Sequence, residues 1–183
     1  MAFEIKKLSI PDVVMIKPLK HQDSRGFFFE SFNRKELERY VDRDLNFLQD
    51  NQSRSFKGVI RGLHFQSPNP QGKLVRVLNG VAFDVAVDLR QESPTFGRWV
   101  GEILSDENMG QLWIPEGFAH GFMALSETVD FFYKVTDYWD PKAERCLIWN
   151  DPVINVKWPL YGEVPILSPK DLGGLQLKDI VGF

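Results

Sequence analysis

Residues 81–90 alternate without a break. Val81, Phe83, Val85, Val87 and Leu89 interleave with Ala82, Asp84, Ala86, Asp88 and Arg90. A period of two puts the first set on one face of an extended strand and the second on the other. Shorter runs of the same kind fall at 13–17, 27–32, 74–78, 98–104, 111–114, 121–125, 130–136 and 146–149. The segments between them carry turn chemistry: Asn79-Gly80, Ser93-Pro94, Pro115-Glu116-Gly117 and Asp140-Pro141. Many short strands with this punctuation predict an antiparallel sandwich or barrel. Helical signals are few. Asn33 and Glu36 make a capping-box-like start for a helix reaching roughly Asp44. Ser168-Pro169-Lys170-Asp171 places an N-cap ahead of a proline at the first helical position, and Gly173-Gly174 ends that helix within about a turn.

With 183 residues, 43% hydrophobic and 26% charged, and without repeat or low-complexity tract, the chain reads as one globular domain over 1–183. The single cysteine, Cys146, excludes an intrachain disulfide and suits a reducing compartment. A formal charge of -3 gives no general attraction to nucleic acid or anionic lipid. The first residues lack a signal-peptide pattern, and no apolar run reaches membrane-spanning length, so a cytoplasmic location is expected.

The stretch Val59-Ile-Arg-Gly-Leu-His-Phe-Gln66 reads as a strand, yet Arg61, Gly62 and His64 are poor choices for a buried one. Three histidines are present. His21 falls in a polar segment that reads as an exposed turn. His64 and His120 lie in apolar, strand-rich surroundings. Pro115-Glu-Gly-Phe-Ala-His120 resembles the second motif of the cupins, which are small jelly-roll barrels. Metal-binding cupins take further ligands from an H-x-H motif that this chain lacks. Two isolated histidines make a thin ligand set, so no metal is expected and acid–base chemistry becomes the sharper idea. Such a site needs a base, an acid, an orienting group and a stabiliser of developing charge. His64, Tyr133, Asp171 and Lys73 are of the right types. Taken singly they read more readily as a core histidine, a core aromatic, a helix cap and an exposed strand lysine.

With those residues assembled, the chain resembles the dTDP-4-dehydrorhamnose 3,5-epimerases. The resemblance rests on Asp23-Ser-Arg-Gly-Phe-Phe-Phe-Glu30, Phe47-Leu-Gln-Asp-Asn-Gln-Ser53, Arg61-Gly-Leu-His-Phe-Gln66, Gln71-Gly-Lys-Leu-Val-Arg76, Phe83-Asp-Val-Ala-Val-Asp-Leu-Arg90, Ser93-Pro-Thr-Phe-Gly97, residues 111–122 and Leu167-Ser-Pro-Lys-Asp171. It implies a cupin jelly-roll barrel with a few short flanking helices, a homodimer, and neither metal nor organic cofactor. It implies epimerisation at C3 and C5 of a dTDP-linked 4-keto-6-deoxyhexose. His64 matches the proton acceptor, Tyr133 the donor and Asp171 the aspartate behind the histidine. Arg25, Glu30, Gln49, Asn51, Arg61, Lys73, His120, Glu144 and Lys170 match sugar-nucleotide-binding positions, and Tyr138 an aromatic near the nucleotide base. The segment from Arg25 to Glu30 is expected to reach the partner's site. Two departures stand out: the compact, proline-rich loop 67–71, and Trp139, where a smaller aromatic or polar residue is expected.

Arg61 and His64 have opposite parity, so a regular strand would face them apart. If both serve one site, the strand must be irregular near Gly62.

Overall fold

The computed structural model describes residues 3–41 and 43–180. The chain opens with strands β1 (Phe3–Lys7) and β2 (Val14–Pro18), a hairpin of β3 (His21–Asp23) and β4 (Gly26–Phe28), and helix α1 (Arg34–Val41). Then follow β5 (Gln49–Phe56), β6 (Ile60–Gln66), β7 (Lys73–Asn79), β8 (Val81–Asp88), β9 (Trp99–Ser105), β10 (Gln111–Ile114), β11 (Phe118–Ala124), β12 (Thr128–Val135) and β13 (Glu144–Cys146). A short helix α2 (Pro169–Leu172) and a 3-10 turn (Leu177–Asp179) come last.

The strands form two antiparallel sheets that close on each other as a jelly-roll barrel. One runs β1-β2-β10-β7-β12-β5, the other β13-β6-β11-β8-β9. Between them lies a core built from both: Val75, Val77, Leu112 and Phe131 on one side, Val100, Leu104, Phe118 and Phe122 on the other. The alternation in β8 resolves into two buried faces. Phe83, Val85 and Val87 point outward, where Leu147, Val156, Trp158 and Leu177 of the C-terminal segment cover them. Ala82, Asp84 and Ala86 point into the barrel, all fully buried. Small side chains there leave room for the opposite sheet.

The interior is apolar at one end and polar at the other, and the strand period decides which residue goes where. The inward side of β7 runs Lys73, Val75, Val77; only the first faces the polar end. β5 shows the same logic in its extreme form. Its inward positions are Gln49, Asn51, Ser53 and Ser55, alternating with exposed Asp50, Gln52, Arg54 and Phe56. It carries no hydrophobic period, so the sequence signals a strand there only weakly; its ladder with β12 supplies the order.

Several boundaries differ from expectation. The run 27–32 is strand only to Phe28, because β3 and β4 form an isolated hairpin with no third strand to extend it. His21 lies on the exposed strand of that hairpin rather than in a turn. The first helix is capped as expected, Glu36 donating its N–H to Asn33 Oδ1 at 3.1 Å. It ends at Val41 rather than near Asp44, and Glu38 accepts the Leu45 N–H at 2.8 Å as Leu45 turns into the core. The second helix starts at Ser168 as predicted and is closed at Gly173.

Candidate active site

The irregularity foreseen in β6 is present. His64 lies opposite His120 of β11, but Arg61 lies opposite Phe122. Three steps along β6 therefore match two along β11, which is a bulge of one residue. Gly62 makes it possible. Its φ is +126°, and a Cβ there would sit 2.6 Å from Gly121 Cα and 2.8 Å from His120 O. The bulge reverses the parity, and Arg61 and His64 line the same pocket at the polar end of the barrel.

His64 Nε2 lies 2.6 Å from Asp171 Oδ1. Asp171 is itself fixed: Ser168 Oγ donates to Oδ2 at 2.6 Å, and the Gly62 N–H donates to Oδ1 at 3.3 Å. Burial opposes the Asp171 charge, but the hydrogen bonds from His64, Ser168 and Gly62 prevail and bring the carboxyl to about 2. A carboxylate can only accept, so His64 Nε2 carries the proton and Nδ1 keeps its lone pair. Burial lowers the pKa of His64, against the raising influence of Asp171, with Lys170 and Lys73 lowering it further. The imidazole is neutral near pH 7, as a general base must be. Cys146 Sγ lies 3.9 Å from Asp171 Oδ1, and burial pushes its thiol up to about 12. The ligand atoms of His64, Cys146 and Asp171 lie within 4.8 Å of one another, a grouping that sequence spacing does not reveal. The imidazole and the carboxylate of this group are hydrogen-bonded to each other.

Tyr133 lines the same pocket from β12, on the sheet opposite His64. Burial, reinforced by Glu144, raises its phenol above the ordinary value, so it stays protonated at neutral pH. Lys73 is buried and donates to His64 O at 3.1 Å, and burial lowers its ammonium to about 8. His120 Nε2 lies 2.8 Å from Asp84 Oδ2, a second buried imidazole–carboxylate pair on the barrel floor. Asp84 Oδ1 has no hydrogen-bond partner among the described residues.

Of the residues singled out in the sequence, Gln49, Asn51, Arg61, His64, Lys73, His120, Tyr133, Glu144 and Lys170 all line this pocket, with Asp171 directly behind. Arg61 is oriented by Ser55 Oγ, at 2.8 Å from Nε, and Lys170 pairs with Glu144 at 2.8 Å. Three expectations land elsewhere. Tyr138 is 63% exposed and outside the pocket; its neighbour Trp139 lines the rim instead, its N–H held by Gln49 Oε1 at 3.0 Å. Arg25 and Glu30 belong to the hairpin region, where Arg25 pairs with Asp23 and Glu30 accepts from Asn33. Neither reaches the pocket of its own chain. Sequence reasoning missed Ser53, Gln66, Gln71 and Asp84. Parity with Asn51 and His64 points to the first two, whereas Asp84 needed the register between β8 and β11.

Barrel and site together define a jelly-roll protein whose pocket sets a neutral imidazole on one sheet and a protonated phenol on the other, the residue types that acid–base chemistry needs. Residues 7–179 match the family model described as dTDP-4-dehydrorhamnose 3,5-epimerase. The chain is 55% identical over 173 residues to the dTDP-4-dehydrorhamnose 3,5-epimerase of Pseudomonas aeruginosa, covering 94% of this chain and 95% of that one. It is 55% identical over 166 residues to that of Salmonella typhimurium, covering 90% of each. Its fold matches the dTDP-6-deoxy-D-glucose-3,5-epimerase of Legionella pneumophila, solved with dTDP-4-keto-L-rhamnose, at a TM-score of 0.95 and 52% identity, covering 98% and 95%. The chain belongs to the dTDP-4-dehydrorhamnose 3,5-epimerase family.

Proposed function

We propose that the protein inverts C3 and C5 of dTDP-4-dehydro-6-deoxy-D-glucose to give dTDP-4-dehydro-L-rhamnose, with His64 as base and Tyr133 as acid. The C4 ketone acidifies the hydrogens on both neighbouring carbons, because either carbanion delocalises onto the ketone oxygen. His64 Nδ1 takes the proton from one face of the ring. Lys73, with His120, stabilises the enolate oxygen. Tyr133 gives its proton to the other face, which leaves an imidazolium and a phenolate; exchange with water returns both to their starting states, and repetition at the second carbon gives the double epimer. The carrying observation is that His64 and Tyr133 come from opposing sheets and line one pocket. A base and an acid on the same wall would exchange protons without inverting anything. The steps use groups of the chain and water, and we assign no metal or organic cofactor.

Arg61 and Lys170 supply positive charge for the diphosphate, and Trp139 takes the place expected of Tyr138 beside the nucleotide base. Arg25 and Glu30, remote from the pocket of their own chain, serve the site of a second copy in a homodimer. Cys146 is a free buried thiol, which suits a reducing cytoplasm. Among the described residues no helix is long and apolar enough to cross a membrane.

The test is incubation with dTDP-4-dehydro-6-deoxy-D-glucose in D₂O, followed by NMR. Deuterium at both C3 and C5 with the L-rhamno product is expected. Labelling and inversion at one carbon alone would instead make it a single-centre epimerase. Binding of dTDP without any exchange would make it a sugar-nucleotide-binding barrel and not an enzyme.

A further inference from the structure

Residues Asp137 to Asp140 leave β12 in one sheet and lead toward β13 in the other, passing the rim of the pocket. Consecutive backbone groups of this segment are held by glutamine side chains. Gln71 Nε2 donates to Asp137 O at 2.7 Å. Gln66 Nε2 donates to Tyr138 O at 3.3 Å, and Gln66 Oε1 accepts the Asp140 N–H at 2.8 Å. Gln49 Oε1 accepts the Trp139 N–H in between. Gln49 comes from β5 and Gln66 from β6, so the segment is tied to both sheets.

Gln66 is the central tie. It is 3% exposed, and its remaining amide hydrogen reaches Asn69 O at 2.9 Å. A carboxamide presents one donor and one acceptor side by side, as a peptide group does. Gln66 thus stands in for a neighbouring strand, pairing a carbonyl and an N–H two residues apart. The residue between them is Trp139, 53% exposed at the rim. No glutamine bonds its ring; the glutamines fix only the backbone that carries it.

We propose that Gln66 is a positioning residue: it holds the 138–140 backbone so that Trp139 forms a preformed platform for the base of the substrate. It therefore governs how tightly the nucleotide is held and not how fast protons move. A platform set before binding avoids the ordering cost of a mobile side chain. The inference rests on the nucleotide-sugar reading above.

The test is Gln66→Met, which keeps the length and removes both hydrogen-bonding ends. With the 4-keto substrate, KM and the dissociation constant for dTDP should each rise about tenfold, as expected for losing two or three net hydrogen bonds from a preorganised site. The turnover number should fall by less than about threefold. In a Trp139→Ala background, which weakens dTDP binding by itself, Gln66→Met should add little, because its effect runs through the missing ring. Unchanged KM, a turnover loss matching the KM change, or fully multiplicative effects of the two substitutions would overturn the proposal. If Gln66→Met does not fold, Gln71→Met carries the same expectations through the bond to Asp137 O. The wild type separates the two levels. Failure to bind dTDP or exchange protons there overturns the functional reading and the platform with it. Normal wild-type binding with an unmoved Gln66→Met overturns the platform alone.

Discussion

At the scale of single residues, the site is a set of protonation states fixed by surroundings. His64 is held neutral chiefly by burial and Tyr133 is held protonated, so both are ready at neutral pH. The acid limb of kcat/KM should lie below the ordinary histidine range, since the His64 pKa is lowered from 6.5. Asp171 is the group that raises it. Asp171→Asn should therefore move that limb to still lower pH while reducing the rate about 10²–10⁴-fold, checked by a pH–rate profile. His64→Ala should abolish deuterium wash-in at both carbons; normal exchange there would remove His64 as the base. Tyr133→Phe should impair inversion more than exchange, because abstraction survives without the opposite-face donor. The pKa of Lys73, about 8, predicts an alkaline limb near that pH if its charge holds the enolate. Whatever activity Lys73→Arg retains should persist to higher pH, since guanidinium does not titrate there.

At the scale of elements, the bulge in β6 sets the geometry of the pocket. A Cβ on Gly62 would meet both a positive φ and the backbone of Gly121. Gly62→Ala should destabilise the protein by about 1–3 kcal/mol from the strained backbone. It should also cost activity at temperatures where the fold persists, as Arg61 and His64 lose their common face. Thermal melting beside kcat/KM measures the two effects separately. How much of this was legible in the sequence differs by strand. β8 and β12 declare themselves through apolar alternation. β5 does not, because its inward face lines a polar pocket and a hydrophobic period has nothing to mark. The composition of β6 pointed to an irregularity without saying which strand would stand opposite.

At the scale of the whole molecule, two expectations follow. Asp88 and Asp171 both have carboxyls near 2, below the ordinary 3.8. A lowered folded-state pKa stabilises above the unfolded value and is lost as pH falls through the folded one. Each pair of values implies about 2 kcal/mol, present above pH 4 or so and disappearing toward pH 2. Acid unfolding should steepen in that window, and Asp171→Asn should flatten it. The second concerns the proposed homodimer. Arg25→Ala and His64→Ala proteins should each be nearly inactive. Mixed and reassociated, they should regain activity, because a heterodimer with crossing Arg25 segments contains one intact site. No recovery in subunit exchange would place Arg25 outside the partner's site.

The sequence by itself determined the strand-rich architecture, the caps of both helices and most of the residue types at the site. Those depend on local periods and turn chemistry, which neighbouring residues encode. Only the tertiary structure decided that Trp139 and not Tyr138 faces the pocket, that Asp84 stands behind His120, and that β6 gains a residue against β11. The first depends on glutamine side chains that tie the 138–140 backbone to both sheets, the other two on register between strands far apart in the chain. Slipping by a single residue turns every side chain to the other face, and the packing of both sheets is what selects one register.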